Sequence, residues 1–211
     1  TLEKYKMRPV EYLDSLQVLN DHFVAAHGIM LSPQERRLLA GTGGKVVHCP
    51  FSNCGKGVPD SPDLLERGVC VGLGTDGTAH GGLSLWNEMK IFRSVMNAFW
   101  GVKNADPAVI PARQILKMVT ENGARILGEE SCGVIKEGYK ADMISINWEQ
   151  PQLFATSNKV NTLLECVCGN DVQDSMVNGK LLMKNRQLLT LDEEKLVWQA
   201  RKYFDAGEAM D

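Results

Sequence analysis

Three titratable side chains end or follow strongly apolar segments of the sequence, and two of them suit metal-assisted hydrolysis. They are His27, His48 and Asp76. An imidazole and a carboxylate, such as those of His27 and Asp76, can hold Zn²⁺ or Fe²⁺, which lowers the pKa of a bound water while a second basic group takes its proton. A catalytic zinc normally has three protein ligands, and none of the four histidines forms an H-x-H or H-E-x-x-H motif. The ligand set in this sequence is therefore incomplete.

Each histidine also has a structural interpretation. His27 follows its apolar run directly, where a backbone carbonyl could satisfy the ring instead of a site. His48 lies within its run, and Pro50 and Asn53 after it are typical of a structured turn, which favours a structural role. His80 lies in a glycine-rich loop and could face either a substrate or solvent.

Asp76 is the stronger functional candidate. It lies between Gly74 and Gly77, which allow the backbone a tight and unusual path, so that the carboxylate can project into a pocket. The alternative is a simple Asx-turn, in which the side chain accepts a nearby backbone N–H. The pattern favours the functional interpretation.

The elements that must carry these residues alternate between strand-like and helical patterns. Apolar runs at 23–26, 45–49 and 69–73 predict three short buried strands. Because the runs are apolar throughout and helical segments separate them, they are typical of parallel strands buried on both faces. In parallel α/β folds, functional groups collect at the carboxyl ends of the strands. We therefore expect the three side chains to share one edge of a sheet.

Helical patterns lie before, between and after these strands. Leucines at helical spacing predict that the first helix includes Leu16, and residues 84–100 form an amphipathic stripe that includes Phe99. The last helix of this part is expected to reach Leu127 with that side chain inward. The predicted helices begin at Pro9, at a capping box in 32–35, at Asp60, at Ser84 and at Pro111.

The pattern changes after residue 128. Short β segments are predicted at 142–146, 163–168, 172–177 and 180–183, with an Asn-Gly hairpin turn at 178–179. A final helix is expected to begin at a capping box in 190–193. We therefore expect two parts, an α/β portion at 1–128 and a β-rich portion with a terminal helix at 129–211.

Composition excludes several classes of protein. With 44% hydrophobic and 23% charged residues, the chain resembles an ordinary globular domain. A net charge of −3 without a dense basic block argues against nucleic acid as a partner. No apolar run is long enough for a membrane span or a signal peptide. Six cysteines without a C-x-x-C pair indicate a reducing, cytoplasmic location rather than a disulfide framework.

Several ordered blocks of the sequence resemble the amidohydrolase superfamily, in particular its aminohydrolases and chlorohydrolases of purines, pyrimidines and triazines. The resemblance covers nearly the whole chain. The blocks are 48–53 (HCPFSN), 72–77 (GLGTDG), 120–128 (TENGARILG), 133–142 (GVIKEGYKAD) and 177–180 (VNGK).

The resemblance implies a role for each candidate residue. Asp76 corresponds to the metal-binding aspartate after the eighth barrel strand, which also handles the proton of the attacking water. His27 corresponds to the sixth-strand histidine that assists the water or the departing group. His48 and Asn53 are expected to shape the floor of the substrate pocket, and His80 to contribute to specificity. The implied activity is hydrolytic deamination of an aminated heterocycle, with Zn or Fe in the complete enzyme.

The sequence also departs from the family pattern. The H-x-H pair and the histidine-glutamate motif of the first five strands are missing, and Lys56 stands where the family usually has an aliphatic residue. The expected fold class is α/β, the last three βα units of a (β/α)8 TIM-type barrel with part of a small β-sandwich and a C-terminal helix. A closed barrel needs about 250 residues, and this chain has 211 and begins at Thr1.

Three strands cannot close a barrel and would leave open edges. We therefore expect either a homo-oligomer or a missing N-terminal half, and a chain that is inactive alone and lacks stoichiometric metal. An inactive fragment or scaffold subunit is the alternative function. A flavodoxin-like nucleotide binder is less favoured, because Asp76 within the glycine-rich 72–77 would repel a phosphate.

Overall fold

The structure is a computed structural model that describes residues 1–78, 82–154 and 156–208, so His80 lies outside the described residues. The first strands are β1 (Val24–Ala26), β2 (Lys45–His48) and β3 (Cys70–Leu73), and they form a parallel sheet in that order. The remaining strands are β4 (Met143–Ile146), β5 (Val172–Val177), β6 (Lys180–Lys184) and β7 (Gln187–Leu188), which form an antiparallel sheet in that order.

The helices of the described residues lie before, between and after these strands. Those up to β3 are α1 (Leu2–Tyr5), α2 (Pro9–Ser15), α3 (Pro33–Thr42), α4 (Pro50–Cys54) and α5 (Ser61–Glu66). Those after β3 are α6 (Leu85–Met96), α7 (Val102–Asn104), α8 (Ala112–Val119), α9 (Glu121–Ile126), α10 (Pro151–Phe154), α11 (Lys159–Glu165) and α12 (Glu193–Glu208). A π-helical segment, Asn97–Gly101, follows α6, and a 3₁₀ turn, Gly169–Asp171, precedes β5.

The predicted parallel sheet and the predicted capping box at the start of α3 are confirmed. The Ser32 hydroxyl accepts the Glu35 N–H at the start of α3, and the Glu35 carboxylate accepts the Ser32 N–H in return. The hairpin turn is also confirmed, because Asn178 and Gly179 have φ values of 48° and 77°, as a type I′ turn requires. One core contains β2, β3 and the inner faces of α3, α5, α6 and α8.

Strand β1 differs from the expected buried strand, because Val24 is 40% exposed. Its partner among the described strands is β2, so β1 is an edge strand with one covered side. Apolar composition predicted burial, but burial depends on neighbours that a local pattern does not specify.

Several expected elements end earlier or are of another type. Residues 163–168 were expected to be a strand, but 163–165 belong to α11, because the Asn158 side chain caps this helix and its Leu164 enters the core. The stripe of α6 does not continue to Phe99, which is 59% exposed, because the π-helical segment rotates the following side chains away. Leu16 lies beyond the end of α2 and Leu127 beyond the end of α9, and both are exposed.

The C-terminal helix begins later than expected. Its cap is Asp192, whose carboxylate accepts the Lys195 N–H, rather than a box starting at Thr190.

Across the described ranges, no helix combines the length and apolar character that crossing a membrane requires.

Candidate active site

The three parallel strands bring the predicted residues to one edge of the sheet. His27 directly follows β1, His48 is the last residue of β2, and Asp76 comes three residues after β3. Because the strands run parallel and in register, their carboxyl ends lie side by side. The sheet topology thus places all three residues at the same rim.

Backbone turns at the ends of β1 and β3 aim the two candidate catalytic side chains. His27 and Asp76 both have left-handed backbones, with φ of 69° and 58°. Such values are uncommon outside glycine and cost roughly 1 to 3 kcal/mol each. The glycines around Asp76 were expected to provide the unusual path, but Asp76 itself adopts it. Gly74 serves close packing instead, since a Cβ there would lie 2.8 Å from Val47 Cγ1.

The imidazole of His27 and the carboxylate of Asp76 face each other. His27 Nε2 lies 3.9 Å from Asp76 Oδ2, and the two side chains are 36% and 28% exposed. This separation is longer than a direct hydrogen bond. The two groups are therefore close enough to act on one small molecule while remaining accessible to it.

Helix α4 braces both members of this pair through two adjacent residues. The Ser52 hydroxyl donates to Asp76 Oδ2 over 2.6 Å, and the Asn53 amide meets His27 Nδ1 at 2.9 Å. Lys56, just after the helix, donates to the Ser52 hydroxyl over 3.4 Å. The charged side chain of Lys56 is thus hydrogen-bonded to the same hydroxyl that holds Asp76.

The contacts of Asn53 determine which nitrogen of His27 carries the proton. Asn53 Oδ1 accepts the Cys49 N–H over 3.2 Å, so the amide nitrogen must be the group that faces His27. An amide nitrogen is a donor, and His27 Nδ1 must therefore accept. The neutral ring consequently carries its proton on Nε2, the nitrogen that faces Asp76.

His48 lies at the same rim, but its side chain is buried behind the pair. It is 1% exposed, its Nδ1 lies 3.0 Å from Ser61 Oγ, and its ring meets Phe92 edge-on at 5.2 Å between centroids. Burial, and then the nearby His27, lower the pKa of His48 to about 4. The ring is therefore neutral at pH 7 and supports the site from within the core.

Sequence reasoning missed two functional contacts, those of Ser52 and Glu88. Ser52 was part of a recognised motif but had no assigned role. Glu88 lies on α6, is 3% exposed, and accepts the Phe51 N–H over 2.9 Å. Burial raises the pKa of the Glu88 carboxyl, and Asp76 raises it further, while the Phe51 N–H opposes the shift. A signal was available, because Glu88 interrupts the apolar stripe that continues through Met89 and Phe92.

A metal site would need more than this pair. Over the described part of the chain, no group of three or more His, Cys, Asp or Glu side chains is arranged to hold a metal ion. A catalytic zinc normally has three protein ligands. The described residues of this chain therefore do not fit a complete metal site.

Comparisons with known proteins place this geometry in context. The profile of the amidohydrolase family matches residues 1–182. A 5-methylthioadenosine/S-adenosylhomocysteine deaminase from Dictyoglomus thermophilum is 39% identical over 201 residues, which are 94% of this chain and 46% of the relative. The deaminase of the same name from Pyrococcus furiosus is 39% identical over 198 residues, 92% of this chain and 46% of the relative.

A solved structure shares the fold. An adenosine deaminase from Xanthomonas campestris, crystallised with bound zinc, has a TM-score of 0.91 and 30% identity over 97% of this chain and 47% of that one. The mixed α/β fold is thereby confirmed. The chain spans about half the length of the curated relatives it matches.

Proposed function

Because the chain belongs to the amidohydrolase family, we propose that it carries part of the active site of a hydrolase of non-peptide carbon–nitrogen bonds. The reaction is hydrolytic deamination of an aminated heterocycle, and the deaminase names of the relatives support an adenosine derivative as substrate. One observation carries the proposal. It is the 3.9 Å approach of His27 Nε2 to Asp76 Oδ2 at the accessible rim of a parallel sheet.

The proposed chemistry assigns one proton task to each member of the pair. Water attacks the ring carbon that bears the amino group, a carbon–oxygen bond forms, and the carbon–nitrogen bond then breaks to release ammonia. Asp76 accepts the proton of the water and then passes it to the departing amino group, which leaves as ammonia, while Ser52 holds the carboxylate. His27 presents its Nε2–H to the attacking oxygen or the departing amine, with its ring held by Asn53.

The remaining candidates have supporting tasks in this proposal. Asn53 orients His27, and His48 supports the pocket floor from its buried position. His80 remains a candidate specificity residue. Asp76 is the one residue of this chain that we propose as a metal ligand, and a zinc or iron ion held there in the complete enzyme would polarise the attacking water.

The same reasoning extends to the architecture. We propose that β1 to β3 are the last three strands of a TIM-type barrel and that residues from 129 onward form part of a β-sandwich with its terminal helix. The exposed edge strand β1 supports completion of the sheet by further polypeptide or by a second copy of the chain.

The experiment uses the full-length gene product, with metal content measured and ammonia release followed on adenosine and 5′-methylthioadenosine. Asp76→Asn should lower turnover by about 1,000-fold or more, since it removes the proton acceptor. Asp174→Asn is the matched control, because Asp174 also accepts a serine hydroxyl over 2.6 Å, from Ser145. An Asp76→Asn protein with undiminished turnover, or a wild-type protein that binds no divalent ion, would refute the proposal.

A non-catalytic subunit is the second candidate function. The shortfall of metal ligands across the described residues favours it. Full-length protein that folds and holds metal but releases no ammonia from any aminated purine or triazine would support this alternative.

A further inference from the structure

We propose that Glu88 is a positioning residue that holds α4 in the orientation the site requires. This inference rests on the proposed function and adds a residue to it. In this inference Glu88 does not act on His27 or Asp76 directly. It acts through the helix that carries Ser52 and Asn53.

The contact is a partly buried hydrogen bond between two elements. Glu88 Oε2 accepts the Phe51 N–H over 2.9 Å, and the Glu88 side chain is almost fully enclosed, at 3% exposure. Phe51 is in the first turn of α4, where backbone N–H groups have no partner inside the helix. The carboxyl therefore satisfies a donor that α4 cannot satisfy by itself.

Helix α4 needs such an anchor because it is very short. It spans Pro50–Cys54, and isolated helices shorter than about 12 residues are marginal in water. The residue after Phe51 contacts Asp76, and the next one contacts His27. A small rotation of this one turn would thus move both contacts away from the catalytic pair together.

The element that supplies Glu88 is rigidly packed. In α6, the next residue Met89 is 2% exposed, and Phe92 and Met96 are fully buried. Phe92 also contacts the ring of His48. Glu88 therefore holds α4 in a fixed position relative to the core, and α4 in turn holds the contacts to the site.

The test compares two substitutions in the full-length gene product. Glu88→Met keeps a similar volume but has at best a weak acceptor, whereas Glu88→Gln keeps a carbonyl oxygen for the Phe51 N–H. We expect Glu88→Met to lower kcat for deamination about tenfold or more with KM within about twofold. Glu88→Gln should stay within about threefold of the wild-type kcat.

Asp171 provides the matched control. It is 5% exposed and accepts the Cys168 N–H over 2.8 Å, but it has no hydrogen bond to α4 in the described structure. Asp171→Leu should lose stability and keep its turnover. Amide hydrogen exchange at 51–54 should accelerate in Glu88→Met, but neither in Glu88→Gln nor in Asp171→Leu.

The outcomes separate this inference from the proposed function. Unchanged kcat and unchanged exchange in a folded Glu88→Met protein would overturn it, as would a Glu88→Gln protein impaired equally. If Glu88→Met does not fold, Glu88→Gln decides alone, and a loss beyond about threefold refutes the acceptor role. If the wild type has no deaminase activity, the proposed function fails, and exchange at 51–54 still decides the role of Glu88.

Discussion

The hydroxyl of Ser52 donates a hydrogen bond to the carboxylate of Asp76. At 2.6 Å from Oδ2 it is a short bond to a carboxylate, and such bonds are worth more than neutral ones. This bond fixes the direction of Asp76 Oδ2, and His27 Nε2 lies 3.9 Å from the same oxygen. The carboxylate is thereby oriented before any substrate arrives.

Removing that hydroxyl should lower activity more than stability. Ser52→Ala in the full-length gene product should reduce kcat about tenfold or more, since a hydrogen bond to a charged group contributes about 1.5 to 3 kcal/mol. Steady-state kinetics on 5′-methylthioadenosine measures this reduction of kcat. Ser145→Ala is the control, because Ser145 also donates to a carboxylate over 2.6 Å, at Asp174 in the antiparallel sheet. Equal turnover in the two variants would contradict the orienting role.

The buried ring of His48 should make stability depend on pH. Its folded pKa is about 4, against about 6.5 in an unfolded chain, so only the unfolded chain takes up a proton between these values. The contribution is complete above about pH 6.5 and falls by up to roughly 3 kcal/mol as the pH drops to about 4. Urea unfolding at pH 7 and pH 5 should show a smaller pH effect in His48→Gln than in wild type. The same pH effect in both would contradict the prediction.

Packing between elements depends on how closely β3 approaches the helices that follow it. At Gly72 a Cβ would lie 2.5 Å from Ile126 Cδ1 and 3.3 Å from the Met118 carbonyl oxygen. One neighbour is the flexible end of a side chain, but the other is backbone. Strand β3 can therefore lie this close to α8 and α9 only without a side chain at this position.

Adding a methyl group should have opposite effects on the free energy of unfolding at two glycines. Gly72→Ala should lower the free energy of unfolding by about 1 to 3 kcal/mol through overpacking. Gly41, inside α3, has no atom within 4 Å of a built Cβ, so Gly41→Ala should raise it by about 0.5 to 1 kcal/mol through helix propensity. Urea midpoints at unchanged m-value measure both. A Gly72→Ala protein as stable as wild type would show that Ile126 and β3 adjust freely.

At the scale of the whole molecule, metal binding should require more than these 211 residues. The described part of the chain contains no group of three candidate ligands, and Asp76 and His27 form only a pair. We expect the 211-residue polypeptide, purified alone, to hold well under one zinc or iron ion per chain. Elemental analysis after dialysis measures this, and treatment with a chelator should leave its melting temperature unchanged. One tightly held ion per chain would contradict the prediction.

Local patterns in the sequence determined much of the fold, independently of contacts with distant segments. The strands at β1, β2 and β3, the Ser32 capping box and the Asn178-Gly179 turn follow from residue types at fixed spacing, because backbone geometry and capping act over a few residues. The amidohydrolase family was also readable from ordered motifs, and the profile match over 1–182 confirms it. The assignment of His27 and Asp76 to catalysis came from those motifs and stays a prediction.

Tertiary structure alone decided the contacts that join distant segments. Residues 163–168 were expected to form a strand but 163–165 lie in α11, since Leu164 is buried in a core whose other members are remote in sequence. The bonds from Ser52 to Asp76 and from Phe51 to Glu88 span 24 and 37 residues. No local pattern encodes such distances, because they depend on how the sheet and α6 pack. Sequence could thus predict which residues reach the rim, whereas packing decided what holds them there.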